Sequence, residues 1–201
     1  TTFPIDTQPA GSTTVRATGL KMQLVSEKTL FIIGNIIKVT PVSGSLGTIV
    51  TIIGDGFGRT EVISVHFGTT QTITTGLANA LGTFSTTWTI DTQPYGLTTI
   101  KAVGSDTALE AYSTFTITGR VTVVTPSQGS VGTIITVEGT GYARTESLAI
   151  HFGTTRTITT TFSNWNGTFS TTFTIDTQPY ATRTVTAVSN VTQASNLFFV
   201  T

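Results

Sequence analysis

Cysteine is absent from the 201 residues, so no disulfide holds this chain. Charge is scarce as well: ten basic and ten acidic side chains make up 10% of the residues, and the formal net charge is zero. Without a basic stripe, the phosphate contacts that carry nucleic-acid affinity have no source, and no nucleic-acid partner is expected. Lysine occurs only at positions 21, 28, 38 and 101, which excludes a lysine–asparagine cross-link repeated along the chain. The longest apolar runs, such as Leu30–Ile33, are far too short to span a bilayer. No stretch shows sustained helical periodicity, and Ser105–Ala111 is the one segment suited to a helical turn. There is neither an initiating methionine nor a charged-then-apolar leader, so a processed chain or a piece of one is expected.

Threonine takes the place of the missing charge. There are 49 in 201 residues. Threonine is β-branched and suits the outer face of a strand, where its methyl packs and its hydroxyl meets water. A neutral, hydroxyl-covered sheet of this kind fits an extracellular stalk or coat with many candidate O-glycosylation sites, and it equally satisfies plain β-propensity.

The chain is organised by repetition. GTFSTTWTIDTQPY runs from Gly82 to Tyr95, GTFSTTFTIDTQPY from Gly167 to Tyr180, and the second half of the same text opens the chain as TTFPIDTQPA. Asp6, Asp91 and Asp176 mark a period of 85 residues. That is close to the size of one immunoglobulin-type sandwich, about 100 residues. The repeat divides the chain into an incomplete module at 1–35, a first module at 36–119 and a second at 120–201. Short alternating runs separated by Gly and Pro breaks predict antiparallel strands near 36–41, 48–53, 61–67, 70–75, 83–90, 97–103 and 112–118, with Ile63, Val65 and Phe67 on one face. The fold class is therefore all-β: tandem immunoglobulin-like antiparallel β-sandwiches in an 85-residue repeat. Gly34-Asn35 and Gly119-Arg120 alone separate the modules, and joints this short predict a stiff string of domains. Residues 1–35 predict about three strands that lack their neighbours, hence an exposed apolar face. Either preceding chain or another subunit would complete them. The last strand of the second module leaves no spare donor, which favours the former.

PVSGSLGTIVTIIGDGFG followed by VHFG, and PSQGSVGTIITVEGTGYA followed by IHFG, resemble the opening of the IPT/TIG family of immunoglobulin-like domains. The resemblance covers both complete modules. It implies the sandwich fold and leaves function open, since that family serves in prokaryotic surface proteins, receptor ectodomains and transcription factors. The threonine-rich tandem form looks most like large prokaryotic cell-surface or extracellular-matrix proteins. The glycines are expected at turns or bulges, and Phe57 and Tyr142 are expected to plug the sandwiches.

No catalytic constellation emerges. His66 and His151 hold equivalent outward strand positions and make neither a triad nor a metal site. The acids are scattered and differ between modules, which argues against paired carboxylates for glycoside cleavage. The recurring Asp-Thr-Gln-Pro reads as a turn in which Asp bonds backbone amides two residues on. Its lone carboxylate, even with Asp55 or Glu138, falls short of a calcium cage. Arg59-Thr-Glu61 and Arg144-Thr-Glu146 read as exposed turns with a weak charge pair. Asn166-Gly-Thr and Asn190-Val-Thr match the N-glycosylation triplet, as chance also produces in so threonine-rich a chain. Tyr95, Tyr180 and Trp165 are candidate exposed aromatics for stacking on sugars.

These observations support an extracellular or cell-surface structural segment, a fibre, stalk or surface layer whose partners are copies of itself or further repeats. The second reading is an adhesin or carbohydrate-binding module with surface glycans as partners. The third is an accessory region of a secreted enzyme, which the full reading frame would reveal. No cofactor or metal is expected.

Overall fold

The computed structural model describes residues 2–201. Thr1, the first residue of the opening repeat copy, lies outside them. Strands and turns make up the described residues, with no helix. Ser105–Thr107 form a turn in which the Ala108 amide donates to the Gly104 carbonyl at 3.1 Å, so the segment suited to a helical turn closes a hairpin.

The N-terminal segment forms one hairpin: β1 (Gly11–Thr18) pairs antiparallel with β2 (Val25–Ile32), Gly11 opposite Ile32 and Thr18 opposite Val25. Two strands form where three are expected, because nothing among the described residues supplies a ladder for the stretch before Gly11. Phe3, Ile5 and Phe31 are 54–73% exposed, the apolar face that the sequence leads one to expect.

The first repeat contributes β3 (Asn35–Thr40), β4 (Ser43–Gly44), β5 (Ile49–Asp55), β6 (Val62–Phe67), β7 (Thr70–Leu77), β8 (Phe84–Thr89), β9 (Gly96–Gly104) and β10 (Glu110–Ile117). They form a three-stranded sheet in the order β3-β5-β8 and a five-stranded sheet in the order β4-β10-β9-β6-β7. Period-2 alternation decides what is buried. On β6, Ile63, Val65 and Phe67 are fully buried while Ser64 and His66 are half-buried. Phe84 and Trp88 on β8 also point inward, as does Ile90 just after it. Phe67 meets Trp88 with centroids 5.5 Å apart and Phe115 at 5.7 Å.

The second repeat reproduces the plan as β11 (Arg120–Thr125), β12 (Gln128–Gly129), β13 (Ile134–Thr140), β14 (Ser147–Phe152), β15 (Thr155–Phe162), β16 (Phe169–Thr174), β17 (Ala181–Val188) and β18 (Gln193–Val200). Its sheets run β11-β13-β16 and β12-β18-β17-β14-β15. One core fills the space between them: Ile135, Val137, Phe169 and Phe173 from one sheet, Leu148, Ile150, Phe152, Val185, Ala187, Phe198 and Val200 from the other. Phe152 takes the central place of Phe67, 5.3 Å from Phe173 and 5.6 Å from Phe198. The chain thus carries two immunoglobulin-like sandwiches in tandem.

The Gly-x-Gly-aromatic motif has a steric cause. A Cβ on Gly54 would lie 2.4 Å from the Phe84 ring, and one on Gly56 would lie 2.1 Å from the Ile33 carbonyl oxygen. Gly139 and Gly141 repeat this against Phe169 (2.4 Å) and the Thr118 carbonyl (2.3 Å). Opposite Gly54 and Gly139 the neighbouring strand carries a bulge, between Ile36 and Lys38 and between Val121 and Val123. The aromatics that follow, Phe57 and Tyr142, are wholly buried plugs packed edge-on against Phe84 and Phe169.

The chain groups into two compact units. One holds the chain up to Pro41 with Ile49–Trp88 and Thr99–Phe115; the other holds Val42–Thr48, Thr89–Thr98 and Thr116–Thr201.

Candidate functional site

The Asp-Thr-Gln-Pro turn is built from side chains. The Gln8 amide donates to Asp6 Oδ1 at 2.9 Å, Gln93 to Asp91 at 2.9 Å and Gln178 to Asp176 at 2.8 Å. The carboxylate therefore takes the glutamine side chain two residues on, where the sequence suggests backbone amides. In the second repeat the purpose is visible. Buried Gln178 accepts from the Thr154 amide and hydroxyl, each at 3.0 Å, and donates to Thr155 Oγ1 at 3.1 Å; the Thr155 hydroxyl donates to Asp176 Oδ2. The Phe-Gly-Thr-Thr and Asp-Thr-Gln-Pro texts are thus the two halves of one polar lock. A buried amide with every polar atom engaged stabilises, and one left empty costs about 1–3 kcal/mol.

After the proline, the turn meets the aromatic plug of the following sandwich. The Ala10 amide donates to the Phe57 carbonyl at 2.8 Å, and the Tyr95 amide donates to the Tyr142 carbonyl at 2.9 Å. The same plugs donate their own amides to Gly82 and Gly167, both at 3.1 Å. Those glycines sit in loops shaped by Asn79 and Asn164, whose Oδ1 atoms accept two backbone amides each at 2.8–3.1 Å. A Cβ on Gly82 would lie 2.2 Å from the Phe57 oxygen and 2.8 Å from Pro9 Cα; on Gly167 it would lie 2.2 Å from the Tyr142 oxygen and 2.8 Å from Pro94 Cα. The joint is therefore written twice with one geometry. The third turn carries no such cover: Pro179 is exposed and Tyr180 is 75% exposed, resting edge-on against Phe199. Arg183 braces it by donating to the Pro179 carbonyl at 3.0 and 3.2 Å.

Glu61 corrects the reading of Arg-Thr-Glu as an exposed charge pair. Its side chain is buried, and the Arg59 guanidinium turns instead to the Ala80 carbonyl at 3.1 Å. The Glu61 carboxylate accepts from the amides of Asp106 and Thr107 at 3.0 Å, from the Thr107 hydroxyl and from the Gly58 amide. Burial pushes its pKa up, but these donors outweigh burial and hold it below the usual carboxylate range. Glu146 lacks that cage: Oε1 accepts from the Asn190 amide at 3.1 Å and Oε2 is buried without a partner.

The remaining candidates fall as follows. His66 and His151 are half-buried on the outer side of their strands. Trp165 is 69% exposed, and Asn166 and Asn190 are exposed in loops. Tyr95 is half-buried with its amide in the joint. The joint brings the loop of Trp165 and Asn166 against the turn of Pro94 and Tyr95, whereas Tyr180 and Asn190 stand on other segments. An outer-face cluster escapes sequence reading. Lys101 Nζ pairs with Glu110 Oε1 at 2.6 Å, and the Tyr112 hydroxyl donates to Glu110 Oε2. The Lys101 and Tyr112 bonds hold the Glu110 carboxyl below its ordinary range, and the bond to Glu110 raises Lys101. The i, i+2 alternation of Glu110 and Tyr112 opposite a lysine strand is the only signal. Among the described residues no group of three or more His, Asp or Glu is placed to hold a metal ion, and no helix is long and apolar enough to cross a membrane.

No family model and no curated protein matches the sequence. Among solved structures the chain is similar to the BSP domain of a biofilm-associated protein, at 19% identity, covering 83% of this chain and 29% of that one, with a TM-score of 0.28. It is similar to a Ca2+-stabilized adhesin of an Antarctic bacterium, at 15% identity over 94% of this chain and 56% of that one, TM-score 0.30. It is also similar to SGBP-B from a xyloglucan utilization locus of Bacteroides uniformis, at 19% identity over 83% of this chain and 49% of that one, TM-score 0.32. The chain spans less than two thirds of the length of each. The likeness to these structures is one of immunoglobulin-like fold alone.

Proposed function

We propose that this chain is a structural repeat segment of an extracellular stalk, fibre or surface layer, built from modules at 36–119 and 120–201 behind a partial module at 1–35. It has no enzymatic role in this reading. The observation that carries it is the joint: one turn and one aromatic carbonyl, joined at 2.8 Å through Ala10 and at 2.9 Å through Tyr95. The same atoms make the joint in both places, which supports a role in the continuity of the chain. The exposed turn at Pro179 and Tyr180 is then a ready half-joint for a further repeat or a copy of the same chain. Appending a second copy of residues 119–201 behind Thr201 tests this. The Tyr180 amide should gain hydrogen-exchange protection comparable to that of Tyr95, and exchange at the rate of the parent chain would overturn the reading. Imaging of the native material should show a repeating filament or lattice.

A second reading, a glycan-contacting adhesin, is favoured by the exposed rings of Trp165 and Tyr180. The two are compatible when a stalk carries contacts along its sides. The IPT/TIG resemblance fits both, as do Asn166 and Asn190 as exposed acceptors for N-glycosylation.

A further inference from the structure

The two repeats share their Gly-x-Gly pairs and their Phe-Gly-Thr-Thr and Asp-Thr-Gln-Pro texts, so the places where their chemistry departs are informative. Four departures line one cleft of about 430 Å³, all of whose lining residues belong to the second unit. Thr122 stands where the first repeat has Ile37, Glu138 where it has Ile53, Thr140 where it has Asp55, and Phe162 where it has Leu77. The rest of the second repeat's share of the lining is unchanged: Gly139, Asn164, Thr168, Phe169 and Ser170 match Gly54, Asn79, Thr83, Phe84 and Ser85. The first repeat folds with aliphatic side chains at 37, 53 and 77, so the sandwich does not demand a hydroxyl, a carboxylate and an aromatic ring there.

Three of the departures gain little for the fold. Phe162 is 70% exposed and contributes little to a core. Exposed Glu138 accepts only a long bond from the Ser170 hydroxyl, at 3.4 Å. Thr140 is 4% exposed, and its Oγ1 is buried with no hydrogen-bond partner. Buried polar groups are as a rule hydrogen-bonded, to protein or to ordered water, so an unpartnered hydroxyl lining a cleft calls for an explanation. No lysine, arginine or histidine lines the cleft, so an anion has nothing to hold it. What remains is two aromatic rings, of which Phe162 is the exposed one, one strong acceptor and several hydroxyls in a space of the size that small ligands occupy. That combination suits a neutral molecule with an apolar C–H face and adjacent hydroxyl donors.

We infer that this cleft is a subsite for a neutral saccharide unit, with the Phe162 ring under the C–H face of the sugar and the Glu138 carboxylate accepting from its hydroxyls. Hydrogen bonds to an ionised acceptor are the stronger kind, and Glu138 is the residue that sets preference for neutral over acidic sugars. The inference deepens the glycan-contact reading above by naming the site and sugar class, and the stalk reading does not depend on it. Trp165, in place of Ala80, follows Asn164 on the same loop and is exposed.

The test is an array of neutral and uronic-acid-containing oligosaccharides probed with the full chain, with Glu138→Gln and with the double variant Glu138→Ile/Phe162→Leu. The double variant carries the residues that the first repeat already folds with at 53 and 77, so its unfolding midpoint should match the parent within error. The expected result is binding to neutral oligosaccharides that weakens about tenfold or more in both variants, since one charged hydrogen bond alone accounts for about that factor. Glycan binding that is equal in parent and variants would place the sugar elsewhere, overturning this cleft while keeping the glycan reading. A blank array with folded parent protein overturns both.

Discussion

At the scale of single residues, the clearest physical statement concerns Glu61. Four donors converge on one buried carboxylate, three of them backbone amides that have no other partner among the described bonds. Replacing it by glutamine keeps the size but brings a donor to a place built for an acceptor, so Glu61→Gln should cost about 1–3 kcal/mol in denaturant unfolding. The sign of its pH dependence follows from the lowered pKa. A carboxyl depressed in the folded state stabilises fully above its unfolded pKa, about 4.3, and loses that contribution as pH falls through the folded value. The gap between parent and Glu61→Gln should therefore be constant from pH 7 to about 5 and close below about 4. A gap that persisted unchanged at pH 3 would show that the cage is not made to the ionised form. Glu146→Gln should cost less, because one of its oxygens has no partner to lose. The sequence could not separate the two: both stand in Arg-Thr-Glu, and the donors that distinguish them lie some 45 residues further along the chain.

At the scale of elements, the strands were legible because threonine and aliphatic residues alternate along them, and β6 buries the three side chains that its alternation nominates. The loops were legible only as glycine and proline punctuation. Punctuation says that the chain turns, and it does not say what the turn touches. Gly82 and Gly96 look alike in the sequence, and both have positive φ, +73° and +112°. Their surroundings differ. A Cβ on Gly96 would meet nothing within 4 Å, whereas one on Gly82 would press on the Phe57 carbonyl that receives the Ala10 amide. Gly96→Ala should thus show only the backbone cost of a non-glycine residue at positive φ, about 1 kcal/mol or a little more. Gly82→Ala should add an overpacking cost of about 1–3 kcal/mol and weaken protection of the Ala10 amide. Equal unfolding midpoints for the two variants would mean that the loop yields without strain and that the joint does not need its glycine. The candidate saccharide cleft was invisible at this scale for a related reason. Thr122, Glu138 and Phe162 lie on three different strands, β11, β13 and β15, and only the sheet order and the fold bring them to one opening.

At the scale of the whole molecule, the 85-residue period and the compact units are different divisions of one chain. The repeat places Val42–Thr48 and Thr89–Thr98 in the first module, while compactness groups them with the second repeat. The reason is in the bonds of that unit. Tyr95 donates to the Tyr142 carbonyl at 2.9 Å, and the Arg120 guanidinium donates to the Leu46 carbonyl at 2.7 Å. Sequence periodicity reports where the text restarts, and hydrogen bonds report what opens together. A chain ending at Gly119 separates the two. It keeps the bonds from Gly47 to the Ile90 carbonyl and from Ile90 to the Thr48 carbonyl, so those two amides should stay protected from hydrogen exchange and serve as the internal control. It loses the acceptor of Tyr95, whose amide should then exchange at least tenfold faster, as removal of a bond worth about 1.4 kcal/mol or more to the closed state requires. If Tyr95 stays as protected as Gly47 in the shortened chain, the turn is held by its own module, and the joint adds nothing to the stability of the segment before it.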